Sequence, residues 1–164
     1  MNKNDSPSVG ILGVGSYVPE KILTNRDLEK LVDTSDEWIK QRTGISERRI
    51  LEDDKPIYSM GVISAKKAIK DAGINPEEIG MIIVTSSSPD YITPPAASRI
   101  QAEIGAVNAA SFDLSAACTG SIYGLTIGQQ FIKTGYYDYV LVVAVECMSR
   151  VTDWTDRNTC VLFG

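Results

Sequence analysis

The sequence predicts an α/β fold with a largely parallel sheet. Apolar runs of strand length alternate along the chain with runs of helix length. Two of the strand-like runs, Met81-Ile-Ile-Val84 and Tyr139-Val-Leu-Val-Val-Ala144, are apolar at every position, as strands buried on both faces are. Glycines stand where several of the helices should stop, at Gly44, Gly73, Gly105 and Gly135.

Taken in order, residues 9–14 read as a strand, ended by the turn signals Gly15, Ser16 and Pro19. Thr24 is placed to cap a short helix running to about Val32, and Ser35 to cap a second over residues 36–43. A longer helix follows over 57–72, then a strand at 81–86. Residues 94–104 form a helix with proline in its first turn. A short strand at 111–114 leads into a helix over 118–133, then a strand over 139–145. Residues 159–163 begin a last strand, which stops as it starts, so the chain reads as a fragment: a polar tail at 1–8 and one α/β unit over 9–164.

Composition narrows the class. With 164 residues and 43% hydrophobic content, the chain can fold around a substantial core. The first eight residues are polar and hold no signal-peptide core. The longest apolar run is far shorter than the roughly 20 residues that span a bilayer. The expectation is a cytoplasmic protein with no membrane partner. A net charge of -5 gives no footprint for nucleic acid. Cys118, Cys147 and Cys160 have neither CxxC spacing nor an even count, which argues against a disulfide framework or a metal site. The chain has 0 histidines, so the commonest general base is absent from it.

Gly13 and Gly15 supply the first part of a dinucleotide fingerprint, but Val18 stands where the third glycine belongs. No helix opens there to receive a pyrophosphate, so a strand and turn is the better reading.

The segment Ser115-Ala-Ala-Cys118-Thr-Gly120 carries chemistry. A strand ends, small residues follow, and a cysteine opens a helix, whose first N–H groups lack partners and favour a thiolate. Gly120, Gly124 and Gly128 share one helix face, suited to close contact with another buried element. The competing reading of Cys118 is a small core residue, and it is the one favoured here for Cys147 and Cys160.

Four segments together resemble the β-ketoacyl-acyl-carrier-protein synthase III family. They are Gly13-Val-Gly15-Ser-Tyr-Val-Pro19, Asp33-Thr-Ser-Asp-Glu-Trp38-Ile-Lys-Gln-Arg42-Thr-Gly44-Ile45, the Cys118 segment, and Asp156-Arg157-Asn-Thr-Cys-Val-Leu-Phe-Gly164. The resemblance runs from about Val9 to Gly164. It implies a thiolase-like fold, with this chain as one α/β half, the N-terminal one, of an αβαβα layered subunit. It implies a condensing enzyme that starts fatty-acid synthesis. An acetyl or other short acyl group would pass from acyl-CoA to Cys118 and condense with malonyl-acyl-carrier protein, with acyl-CoA as substrate and no cofactor or metal.

Further roles follow from the resemblance alone. Trp38 corresponds to the tryptophan that stacks on the CoA adenine, Arg42 to a contact at the phosphate-rich end, Arg157 to a second adenine contact and Thr34 to a lesser one. Thr93 stands where the family often has a phenylalanine that limits the acyl pocket across a homodimer, so a larger primer has room. The family's catalytic histidine and asparagine lie in the other half. This chain alone should therefore be inactive. A different class of reading is a non-catalytic CoA-binding or assembly half of a split protein.

Overall fold

The computed structural model describes residues 8–163. In chain order the elements are β1 (Lys21–Thr24), α1 (Asn25–Leu28), α2 (Asp36–Thr43), β2 (Glu47–Ile50), α3 (Tyr58–Ala72), β3 (Ile79–Thr85), α4 (Ala96–Ile104), β4 (Ala110–Leu114), α5 (Gly120–Lys133), β5 (Tyr139–Ala144) and α6 (Arg157–Cys160). They fall into two compact units. The first holds residues 8–17 and Pro56–Glu146; the second holds Val18–Lys55 and residues 147–163.

The first unit is built on a parallel sheet in the order β4-β3-β5. Met81 to Thr85 pair with Ala110 to Leu114 on one side, and Ile82 to Thr85 with Leu141 to Ala144 on the other. β3 runs to β4 through α4, and β4 to β5 through α5, the helical crossovers that parallel strands require. Side chains alternate across the sheet. Ile83, Thr85, Val140 and Val142 meet the glycine face of α5, while Val143 points toward α3. The opposite face is covered by α3 and α4, which touch where Gly61 lies against Ile100. Ile82, Ile83 and Val84 are fully buried between the layers. A flush-packed central strand of this kind explains why its sequence shows no polar alternation.

Residues 9–14 are not a strand. They run along α3, where a Cβ on Gly13 would come within 2.5 Å of Ala68 O and one on Gly15 within 2.2 Å of Ser64 O. Val14 N donates to Asp71 Oδ2 at 2.9 Å. The segment has no sheet partner among the described residues, and Ile11, Leu12 and Val14 are exposed. A groove of about 960 Å³ lies between it and β5, floored by α3 and α5 residues such as Ala68, Ile122 and Leu125. β5 is therefore an open edge. Val145 N donates to Thr85 O at 3.1 Å, so alternation turns the backbone groups of Val142 and Ala144 to the unpaired side.

The second unit carries the antiparallel pair β1–β2, with Lys21 opposite Ile50 and Thr24 opposite Glu47. Neither strand was legible in the sequence, because each is only four residues long and neither shows a sustained apolar or alternating run. Thr24 does cap a helix, with a reciprocal Asp27 contact, but α1 ends at Leu28, short of Val32. The core of the unit joins Leu28, Ile39, Cys160 and Val161, with Trp38 and Trp154 packed at its margin. Residues 159–163 are not a strand either. Asp156 accepts from Asn158 N at 2.9 Å and from Thr159 Oγ1 at 2.9 Å, which starts α6 instead. Most of the polar 1–8 tail, and Gly164, lie outside the described residues.

Candidate active site

Cys118 follows the C-terminal end of β4, the side of an open parallel sheet where sites are usually built. It sits in a 3-10 turn, Ala117–Thr119, and α5 begins two residues after it, at Gly120. The turn is closed by Thr119, whose N–H and hydroxyl both donate to Ala116 O, at 3.2 and 2.8 Å. Ala117 adopts φ 46°, a left-handed conformation that an L-alanine enters at a cost of about 1–2 kcal/mol. Backbone held in such a sparsely populated conformation clusters at active sites, ligand clamps and switch regions. Nothing in the sequence signalled it. Of the three cysteines only Cys118 is exposed.

Close packing holds this turn in place. A Cβ on Gly124 would stand 2.8 Å from Val142 Cγ1, one on Gly120 3.0 Å from Thr85 Cβ, and one on Gly128 3.0 Å from Val140 Cγ1. The glycine stripe thus lies directly on β3 and β5, as its spacing predicts.

Two acidic residues that sequence reading passed over brace the same end of the sheet. Asp113, on β4, accepts from Ala96 N and Ala97 N, both at 2.8 Å, fixing the start of α4. A carboxylate suits that position because helix N–H groups there lack partners. Glu146 follows β5 and accepts from Ser87 N at 2.6 Å and Ser88 Oγ at 2.5 Å, in the loop after β3. Thr93 lies exposed in the loop before α4, next to a cis Thr93–Pro94 peptide bond. Arg99 stacks over Tyr91 and Tyr58 at 4.9 and 5.4 Å beside that loop.

The other predicted residues gather in the second unit. Ser35 caps α2 by accepting from Trp38 N at 3.1 Å, and Gly44 ends it in a left-handed conformation. The Trp38 ring is half-buried, with the Arg42 guanidinium 5.7 Å and the Arg157 guanidinium 5.0 Å from its centre. Both arginines are exposed. Thr34 precedes the cap, and its Oγ1 is buried without a hydrogen-bond partner. A flat aromatic ring and two cations thus stand together, although Arg157 is far from the others in sequence. Cys147 and Cys160 are buried. Desolvation pushes the Cys160 thiol up from its ordinary value, against a smaller opposing pull from Arg48.

The description "3-Oxoacyl-[acyl-carrier-protein (ACP)] synthase III" belongs to the family model that matches residues 112–164. The chain is 55% identical over 157 residues to a β-ketoacyl-[acyl-carrier-protein] synthase III of Caldanaerobacter subterraneus, covering 96% of this chain and 47% of the relative. Its counterpart in Geobacillus kaustophilus is 56% identical, with 94% and 50% covered. The structure superposes on the 3-oxoacyl-[acyl-carrier-protein] synthase III of Aquifex aeolicus with TM-score 0.92 and 48% identity, covering 96% of this chain and 51% of the other. It also superposes on the priming β-ketosynthase of the R1128 polyketide pathway with TM-score 0.94 and 40% identity, covering 100% and 49%. The fold is an α/β half of the thiolase-like class. Over nearly its whole length the chain is similar to β-ketoacyl-acyl-carrier-protein synthases III. It spans about half the length of the relatives it matches.

Proposed function

We propose that this chain is the first of two halves of a condensing enzyme, and that Cys118 carries its acyl group. The exposed cysteine on a strained turn, backed by a helix lying flush on the sheet, is the observation that carries this reading. The Cys118 thiolate attacks the thioester carbonyl of an acyl-CoA. A bond forms between Sγ and the acyl carbon, the carbon–sulfur bond to CoA breaks, and CoA leaves as a thiolate. N–H groups at the start of the helix can face the developing oxyanion. Malonyl-acyl-carrier protein then loses carbon dioxide, and its carbanion attacks the same carbonyl. The bond to Sγ breaks, which frees Cys118 and releases a 3-oxoacyl-carrier protein.

Trp38, Arg42, Arg157 and Thr34 make the reception site for the CoA nucleotide. An indole face accepts the adenine and guanidinium groups its phosphates. The unpaired Thr34 hydroxyl supports this reading, since a buried polar atom is costly unless something pairs with it. Thr93, on an exposed loop, limits the primer less than a phenylalanine would. The family resemblance extends to a cytoplasmic homodimer that uses acyl-CoA and needs no cofactor. The histidine and asparagine that complete condensation belong to the other half, so the 164-residue chain alone should not condense acetyl-CoA with malonyl-carrier protein.

The test is to incubate the full-length protein with labelled acetyl-CoA and map the labelled peptide. One acyl group on the Cys118 peptide, lost in Cys118→Ser, is expected. Label on Cys147 or Cys160 would overturn the assignment. CoA binding with no acylation at all would favour the non-catalytic reading, to which the assembled Trp38 site lends its own support.

A further inference from the structure

Arg48 is an unusual core residue. It stands on β2 with only 3% of its surface exposed, and its Nε is buried without a partner. Its Nη1 donates to Asn25 Oδ1 at 2.5 Å and its Nη2 to the backbone carbonyl of Val161 at 2.9 Å. Among the described residues no carboxylate touches it. Asn25 is itself fully buried and spends its Nδ2 donors on Asp36 Oδ1 at 2.9 Å and Ile45 O at 2.7 Å. Asp36 opens α2, two residues before Trp38, and Val161 ends α6, four residues after Arg157.

One guanidinium therefore grips both helices that carry the nucleotide site. The grip matters most for α6, because four residues are too few to hold a helix by themselves. A buried ion is a poor way to gain stability, since apolar residues of like volume do as well or better. What it supplies here is registry: a planar fork has two fixed directions that a leucine or methionine lacks.

We propose that Arg48, acting through Asn25 and Val161, is a positioning residue that sets Trp38 and Arg157 at the spacing an acyl-CoA nucleotide requires. This rests on the reading of the Trp38 cluster as a CoA site. It places Arg48 outside the reach of substrate and gives it no part in the chemistry at Cys118.

The experiment compares Arg48→Met and Arg48→Lys in the full-length protein, with Trp38→Ala as a reference. Each is assayed with acetyl-CoA and with an acetyl-pantetheine thioester that lacks the nucleotide. Misplacing the ring and cations weakens the stacking that holds the nucleotide base, so the KM for acetyl-CoA should rise about tenfold or more in Arg48→Met. Its kcat and its kinetics with acetyl-pantetheine should stay within about twofold of the parent. Arg48→Lys keeps the charge but not the fork, and should show the same split more weakly; it carries the test if Arg48→Met does not fold. An equal loss with both thioesters, or no change with either, overturns the proposal. An unchanged KM for acetyl-CoA in Trp38→Ala would instead remove the CoA site itself.

Discussion

At the scale of single residues, the second unit spends buried polar groups freely. Thr34 Oγ1 has no partner, and a buried hydroxyl left unpaired costs about 1–3 kcal/mol. Thr34→Val removes that burden with little change of shape. It should leave stability unchanged or raise it by about 1 kcal/mol, measured by urea unfolding, while weakening acyl-CoA binding in the full-length protein. A fall in stability would mean that the hydroxyl is already satisfied. The acid sensitivity of this unit also follows from single groups. Hydrogen bonds from Lys30 and Thr24 hold the Asp27 carboxyl below the usual range; bonds from Lys40 and Asn25 do the same for Asp36, and bonds from Thr155 for Asp153. A carboxyl lowered on folding stabilises the folded state above its unfolded value, near pH 3.9, and loses that contribution as pH falls toward the folded value. Both tryptophans, Trp38 and Trp154, belong to this unit. Their fluorescence should therefore report a loss of stability that begins below about pH 4, and Asp27→Asn should flatten it.

At the scale of elements, α5 is the part whose sequence and packing agree most closely. Adding a methyl group at Gly124 gains about 1 kcal/mol of helix propensity. It also drives a Cβ to 2.8 Å from Val142 Cγ1 and 3.2 Å from Thr85 Cγ2, on β-branched side chains with little room to turn. Overpacking of this kind costs about 1–3 kcal/mol. Gly124→Ala should thus lower stability by about 1 kcal/mol in denaturant unfolding and slow acylation at Cys118, since the helix must lift where the turn begins. Legibility followed the same line. The parallel strands and the helices α3, α4 and α5 were readable because burial imposes long apolar patterns and glycine stops. Residues 9–14 misled because they have a strand's composition while lacking a partner to pair with. Residues 159–163 misled because capping by Asp156 outweighed their β-branched and aromatic content. At the candidate site, the family motifs pointed to Cys118, Trp38, Arg42 and Arg157, and the structure places the last three together. Asp113, Glu146, Asn25 and Arg48 were invisible, for each works through backbone groups or partners distant in sequence, and spacing does not record such contacts.

At the scale of the whole molecule, the chain spans only about half of its relatives' length. Its exposed apolar residues include Ile11, Leu12 and Val14 in one segment and Ile122, Tyr123 and Leu125 on α5. Among the described residues, no helix is long and apolar enough to cross a membrane. The open side of β5 has a further consequence, for handling the protein in a tube. Valine-rich edges with unpaired N–H and C=O groups are templates for any other extended chain, including another copy. The 164-residue chain should accordingly gain mass with concentration and bind amyloid-reporting dyes on prolonged storage, despite its net charge of -5. Ala144 offers the remedy. Its N–H faces away from β3, so Ala144→Pro blocks the edge while sparing the inner ladder. Light scattering should then show the variant staying dispersed at concentrations where the parent chain clouds; equal clouding would place the sticky surface elsewhere.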